Sequence, residues 1–136
     1  MIYRFLAVAA LLLPALVQAQ AQPCAEMDDA AELNRCLHAE VEKAEQELDN
    51  YLQASRDRHA QLPDAVVSME AAHGAWMRFR DSHCFAEYDL WADGSIRTTI
   101  LAQCLLRQTQ RRTHEIWQVY LVPPDAPPVL PEPRLP

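Results

Sequence analysis

The 136-residue chain contains only two glycines, Gly74 and Gly94. No glycine-rich loop can therefore wrap backbone amides around a phosphate, which excludes the common nucleotide-binding turns. Alternating apolar and polar residues are absent over any useful length, so nothing in the chain reads as a sheet. There is no C-x-x-C-H step for haem attachment and no H-E-x-x-H step for zinc. The four cysteines are 12, 48 and 20 residues apart, without the close C-x-x-C knuckle of a zinc site. Positive charge is also scarce, with 12 Lys and Arg against 19 Asp and Glu and a net charge of −7. Such an acidic chain repels phosphate backbones and anionic lipid, which argues against nucleic acid and membrane surfaces as partners. Cationic partners are favoured.

The one long apolar run is Phe5 to Val17, broken by Pro14 and preceded by a short n-region carrying Arg4. At about 13 residues it falls short of the roughly 20 that span a bilayer. Val17-Gln18-Ala19 and Ala19-Gln20-Ala21 both fit a small-x-small cleavage site. Residues 1–21 are thus read as a signal peptide. Ala21-Gln22-Pro23 before Cys24 is a poor lipidation box, so the expected product is soluble, periplasmic or secreted, with no membrane insertion after cleavage. Removal of Arg4 with the leader makes the mature chain more acidic still. Cys24, Cys36, Cys84 and Cys104 all lie in the exported part, and an even count in an oxidising compartment implies two disulfides.

Residues 22–121 read as one helical domain. From Asp28 to about Arg58, Leu33, Leu37, Val41, Ala44, Leu48 and Tyr51 recur at steps of three and four, the period of one helix face. Gln61-Leu62-Pro63-Asp64 breaks the pattern, and Pro63 suits a first helical turn. Val66, Met69, His73 or Ala72, Trp76, Phe79 and His83 then mark a second stripe reaching about Trp91, with Trp76 and Phe79 expected in the core. Ser95 is the expected N-cap of a third helix, marked by Ile100, Leu101, Cys104, Leu105, Ile116, Trp117 and Tyr120 and ending before Pro123. Residues 122–136 are rich in proline and are expected to form a flexible, extended spacer.

Two disulfide patterns are compatible with this layout. Cys84 and Cys104 each lie ten residues from Gly94, level with each other on a helical hairpin, which would leave Cys24 for Cys36. A turn near Gln61 equally brings Cys36 level with Cys84, leaving Cys24 for Cys104. Charge is divided as well: nine acids between Glu26 and Asp49 face only Arg35 and Lys43, whereas Arg97, Arg107, Arg111 and Arg112 precede the first acid of the third helix, Glu115. Two readings follow, internal pairing of the first and third helices or an exposed acidic face for a cationic protein. Glu70-Ala71-Ala72-His73 is a single E-x-x-H step, where di-iron bundles use two, so His73 is read as a core or half-buried residue and no metal or cofactor is expected.

Trp76-Met77-Arg78-Phe79-Arg80-Asp81-Ser82-His83-Cys84, then Gly94-Ser95 and Cys104 with Thr109 and Arg112, closely resembles the signature of the LprI-like lysozyme-inhibitor family. Cys24, Leu33-Asn34-Arg35-Cys36, Glu40, Leu48 and Tyr51 resemble that family's first helix. Glu45 and Asp49 depart mildly from it, standing where Asp and Asn are expected. The resemblance makes Glu40, Trp76, Arg80, Asp81, Gly94, Thr109 and Arg112 the signature residues, and it implies a protein partner such as a cationic lysozyme, and no enzymatic activity. Glu40, Arg80, Asp81 and Arg112 are expected to form an interhelical ion network. Tyr88 and Trp91, near the hairpin tip, are candidate partner contacts. The fold expected is an all-α, small antiparallel three-helix domain linked by two disulfides, with a proline-rich C-terminal tail. Two functions fit it: an exported inhibitor of lysozyme-type muramidases, or a non-inhibitory cell-envelope scaffold.

Overall fold

The computed structural model describes residues 24–92 and 94–135, so the signal-peptide region lies outside it. Three helices make up the domain: α1 (Ala30–Arg58), α2 (Pro63–Asp89) and α3 (Arg97–Ile116). A π-helical turn, Trp117–Leu121, carries α3 to its end. No strand occurs among the described residues.

Local chemistry sets the helix ends. Asp29 caps α1 by accepting a hydrogen bond from the Glu32 amide at 2.8 Å. Glu32 in the first turn and Arg56 and Arg58 in the last match the helix dipole. Pro63 opens α2, where a missing N–H costs nothing. Ser95 does not cap α3: the helix begins at Arg97 after Ile96, without a side-chain cap. In place of that cap, the Gly94 carbonyl accepts from the Arg97 amide at 3.2 Å, so a backbone turn leads into the helix.

The apolar stripe of α1 enters the core as its spacing requires: Leu37, Val41, Ala44, Leu48 and Tyr51 are all buried. Leu37, Val41 and Ala44 pack with Ala102 and Leu106 in one cluster. Leu48, Tyr51 and Leu52 pack with Ile116 and Leu121 in the next. Residue numbers rise together along both helices, so α1 and α3 run parallel while α2 runs opposite to both. Both flanking helices pack on α3. By contrast, α1 and α2 are joined by long side chains, Arg80 to Glu45 at 2.8 Å and Arg56 to Glu70 at 2.6 Å. This makes α3 the central helix.

Both disulfides follow the hairpin pattern. Cys84–Cys104 ties α2 to α3 with Cα atoms 5.5 Å apart, and Cys24–Cys36 closes the N-terminal segment onto α1 with Cα atoms 5.9 Å apart. Neither sulfur of the first bridge is exposed, since Cys84 and Cys104 have no accessible surface.

Two expectations about packing are corrected. Phe79 is not in the core but 56% exposed. One helix turn allows only about 100° per residue, and with Trp76 and Arg80 turned toward the other helices, Phe79 is rotated off the buried face. Nor is the C-terminal segment a free spacer. The Val129 amide donates to the Leu121 carbonyl at 2.9 Å, Trp117 Nε1 donates to the Leu130 carbonyl at 2.9 Å, and the Tyr51 hydroxyl donates to the Pro131 carbonyl at 2.7 Å. Leu130 packs on the second core cluster and Pro133 is buried. Carbonyls that proline leaves without helical partners are thus taken up by side-chain donors of α1 and the end of α3.

Candidate functional site

The signature residues fall into two groups. The first surrounds Trp76, half-buried where the three helices meet. The Arg80 guanidinium lies 5.3 Å from the Trp76 ring centre, the Arg112 guanidinium lies 5.8 Å from it, and His73 stacks on the indole at 5.7 Å. Two cations on one indole draw on its negative face. Arg80, with its side chain only 12% exposed, spends its donors on Glu45 at 2.8 Å, Asp81 at 3.0 Å and the buried Thr109 hydroxyl at 3.2 Å. It therefore links α1, α2 and α3 from a single side chain, with the multiple fixed donors that lysine lacks.

The expected ion network is thus formed only in part. Arg80 and Asp81 are joined, but Arg112 pairs with Glu115 at 2.9 Å and Glu40 pairs with Lys43 at 2.6 Å, each within its own helix. Glu45 is the acid of α1 that reaches Arg80. It stands five residues beyond Glu40, more than one helical turn along α1, and parallel packing of α1 on α3 brings that level opposite Thr109. Burial pushes the His73 imidazole below its ordinary range, helped by the nearby Arg112 cation, although Glu70 and Asp49 oppose this. Neutral His73 lets its ring lie flat on Trp76 between arginines. Arg80 is spent on internal bonds, whereas the buried His73 Nδ1 and Arg112 Nε have no hydrogen-bond partner, and the cluster's chemistry is that of a clamp.

His83, Glu87 and Cys104 gather three atoms of metal-ligating type within 4.8 Å. The Cys104 sulfur is already bonded to Cys84, so no thiolate is offered. Glu87 instead receives Arg107 at 3.0 Å and His83 at 3.1 Å.

The second group lies at the end of the bundle where α2 turns into α3. Leu90 is 83% exposed, Trp91 48% and Ile96 47%. Tyr88 is partly covered, because the Arg97 guanidinium stacks 3.7 Å over its ring while bonding the Ala92 carbonyl at 2.8 Å. Trp91 is thus the more accessible of the two aromatic residues singled out from the sequence. Ile96 joins it through the turn, a position at which sequence periodicity gives no signal. Gly94, in the middle, does not have a positive φ, and an added Cβ would meet nothing closer than the Trp91 carbonyl at 3.5 Å.

Parallel packing places the start of α1 at this same end. Asn34 fixes it there, accepting from the Thr99 hydroxyl at 2.8 Å and donating to Thr98 at 3.3 Å. Glu26, Asp28, Asp29 and Glu32 stand at or just before the first turn of α1, and none has a cationic partner among the described residues. The expected pairing of α1 acids with α3 arginines is not what forms: Arg97 goes to Asp89 and Arg107 to Glu87, both on α2. An apolar tip and an unneutralised acidic collar therefore share one end of the molecule.

The architecture is that of a small, disulfide-linked helical domain whose exposed features suit protein contact. A family model described as Lysozyme inhibitor LprI matches residues 21–116, and the chain belongs to this lysozyme inhibitor family. No curated protein and no solved structure shows a significant match to the chain.

Proposed function

We propose that this is an exported, non-enzymatic binding protein that inhibits a lysozyme-type muramidase, docking through the end that carries Leu90, Trp91 and Ile96. The observation that carries the reading is the juxtaposition of that apolar tip with the acids of the α1 start, on a member of a lysozyme inhibitor family. Unpaired acids steer a cationic enzyme and raise the encounter rate, while an exposed tryptophan beside aliphatic side chains supplies the desolvated anchor that slows release. No helix among the described residues is long and apolar enough to cross a membrane.

Peptidoglycan lysis measured with increasing mature protein tests this directly. Dose-dependent loss of a cationic lysozyme's activity is expected. Trp91→Ala should weaken inhibition through faster dissociation, whereas Asp28→Asn, Asp29→Asn and Glu32→Gln together should slow association and flatten its salt dependence. Asparagine still caps a helix, so α1 should keep its start. Unaltered lysis at saturating protein would leave the envelope-scaffold reading in its place.

A further inference from the structure

The outer side of α2 is a face that the fold leaves uncovered. Of this helix only Met69 and Cys84 are buried, although apolar residues occur all around it. A helix apolar on every side is normally covered on every side. Phe79 and Phe85 are 56% and 55% exposed, and Ser82 and Ala86 between and beside them are exposed too. Helical spacing of three and four puts Arg78, Ser82, Phe85 and Asp89 in one line, with Phe79 and Ala86 beside it. The line thus begins in a cation and ends in an anion, with only small or apolar residues between. Arg78 makes no ion pair among the described residues, and Asp89 has a side chain 76% exposed with its one cationic partner, Arg97, at 3.6 Å.

We propose that this face is a two-fold contact between two copies of this chain, with antiparallel α2 helices. In that arrangement Arg78 of each copy meets Asp89 of the other, and Phe79 and Phe85 of both close over Ser82 and Ala86. The charges decide for a second copy over other occupants. A cationic protein would meet Arg78 at one end of the strip, and an anionic lipid surface would find one cation against the terminal aspartate. A two-fold axis satisfies both charges twice with the same strip. Ten of the chain's 19 acids lie on α1 or in the segment from Glu26 that leads into it, and α1 packs on α3; at physiological salt, charges more than about 8 Å apart are screened. Arg78 and Asp89 are three turns apart, about 16 Å of helix, so the contact belongs to the small, transient class below about 1,200 Å². Its dissociation constant is expected at about 10–100 µM.

Sedimentation of the mature protein from about 1 µM to about 1 mM should show reversible conversion of monomer to dimer. Phe79→Glu should weaken the association by about tenfold or more while helical circular dichroism and melting are retained. Arg78→Asp and Asp89→Arg should each weaken it, and the two combined should restore it. A monomer throughout this range overturns the proposal, as does a dimer indifferent to Phe79→Glu or a charge swap without recovery. A monomer that binds anionic vesicles through Phe79 also overturns it, and assigns the face to lipid. None of these readings depends on whether the protein inhibits a muramidase.

Discussion

Removing the residues after Val122 is expected to destabilise the domain, although a proline-rich sequence suggests that it should not. The segment gives up three side-chain hydrogen bonds at once, Tyr51 to Pro131, Trp117 to Leu130 and His114 to Glu132, and a backbone bond from Val129 to Leu121. Each is worth about 1 kcal/mol net, and uncovering the second core cluster beneath Leu130 adds about 1 kcal/mol more. Against this stands the entropy of ordering Val129 to Pro133, at about 1 kcal/mol for each ordinary residue and less for proline, whose φ is already fixed. The balance is a stabilisation of roughly 1–2 kcal/mol. For a domain of this size that corresponds to a melting temperature about 3–8 °C lower on truncation. Trp117→Phe keeps the ring but removes the donor, and should account for about half of the loss. Calorimetry on the mature and truncated proteins, with limited proteolysis of the segment, checks this. Equal melting temperatures together with immediate cleavage between residues 123 and 133 would refute the docked segment and the energies assigned to it.

Other consequences follow from the same contacts. Replacing Cys84 and Cys104 by alanine should cost about 3 kcal/mol from loop entropy alone, with a further cost because both sit in a fully buried site, and denaturant unfolding reads it. Arg80→Met should lower stability by about 1–2 kcal/mol through the stranded Thr109 hydroxyl and the lost pair with the half-exposed Glu45; the double change with Glu45→Gln should show non-additivity in a double-mutant cycle. Gly94→Ala should be neutral or stabilise by up to about 1 kcal/mol, since the position needs no positive φ and has room for a methyl group. The depressed His73 pKa means that the unfolded chain takes up its proton first on acidification. Stability should therefore fall as pH drops below about 6.5, and His73→Phe should remove that part of the slope. Tyr51 is held above its ordinary value by burial, then by Glu47, so the folded state keeps its proton longer than the unfolded chain and stability should decline above about pH 10. Melting curves across both windows test the two signs.

What the sequence determined by itself was whatever depends on short-range spacing. The stripe from Leu37 to Tyr51 has a period that only a helix satisfies, and a proline at Pro63 and the turn at Gly94 bound the elements. The chain's resemblance to a lysozyme inhibitor family was carried in the same way, by residues close together along it, and its membership bears that out. Cys84 and Cys104 lie symmetrically about Gly94, but a turn near Gln61 does the same for Cys36 and Cys84, so the bridges were decided only when α2 docked on α3. Three further outcomes needed the tertiary arrangement. Glu45 rather than Glu40 reaches Arg80, because the relative height of parallel α1 and α3 is set by side-chain packing along their whole length. Phe79 is outside because a stripe at steps of three and four is wider than the single seam α2 buries. The segment after Val122 is held by donors more than ten residues away in sequence, on Tyr51 and Trp117, and no local propensity reports a bond made at that distance. The acidic α1 start and the apolar hairpin tip are likewise some 60 residues apart in the chain, and parallel packing of α1 and α3 alone brings them to one end.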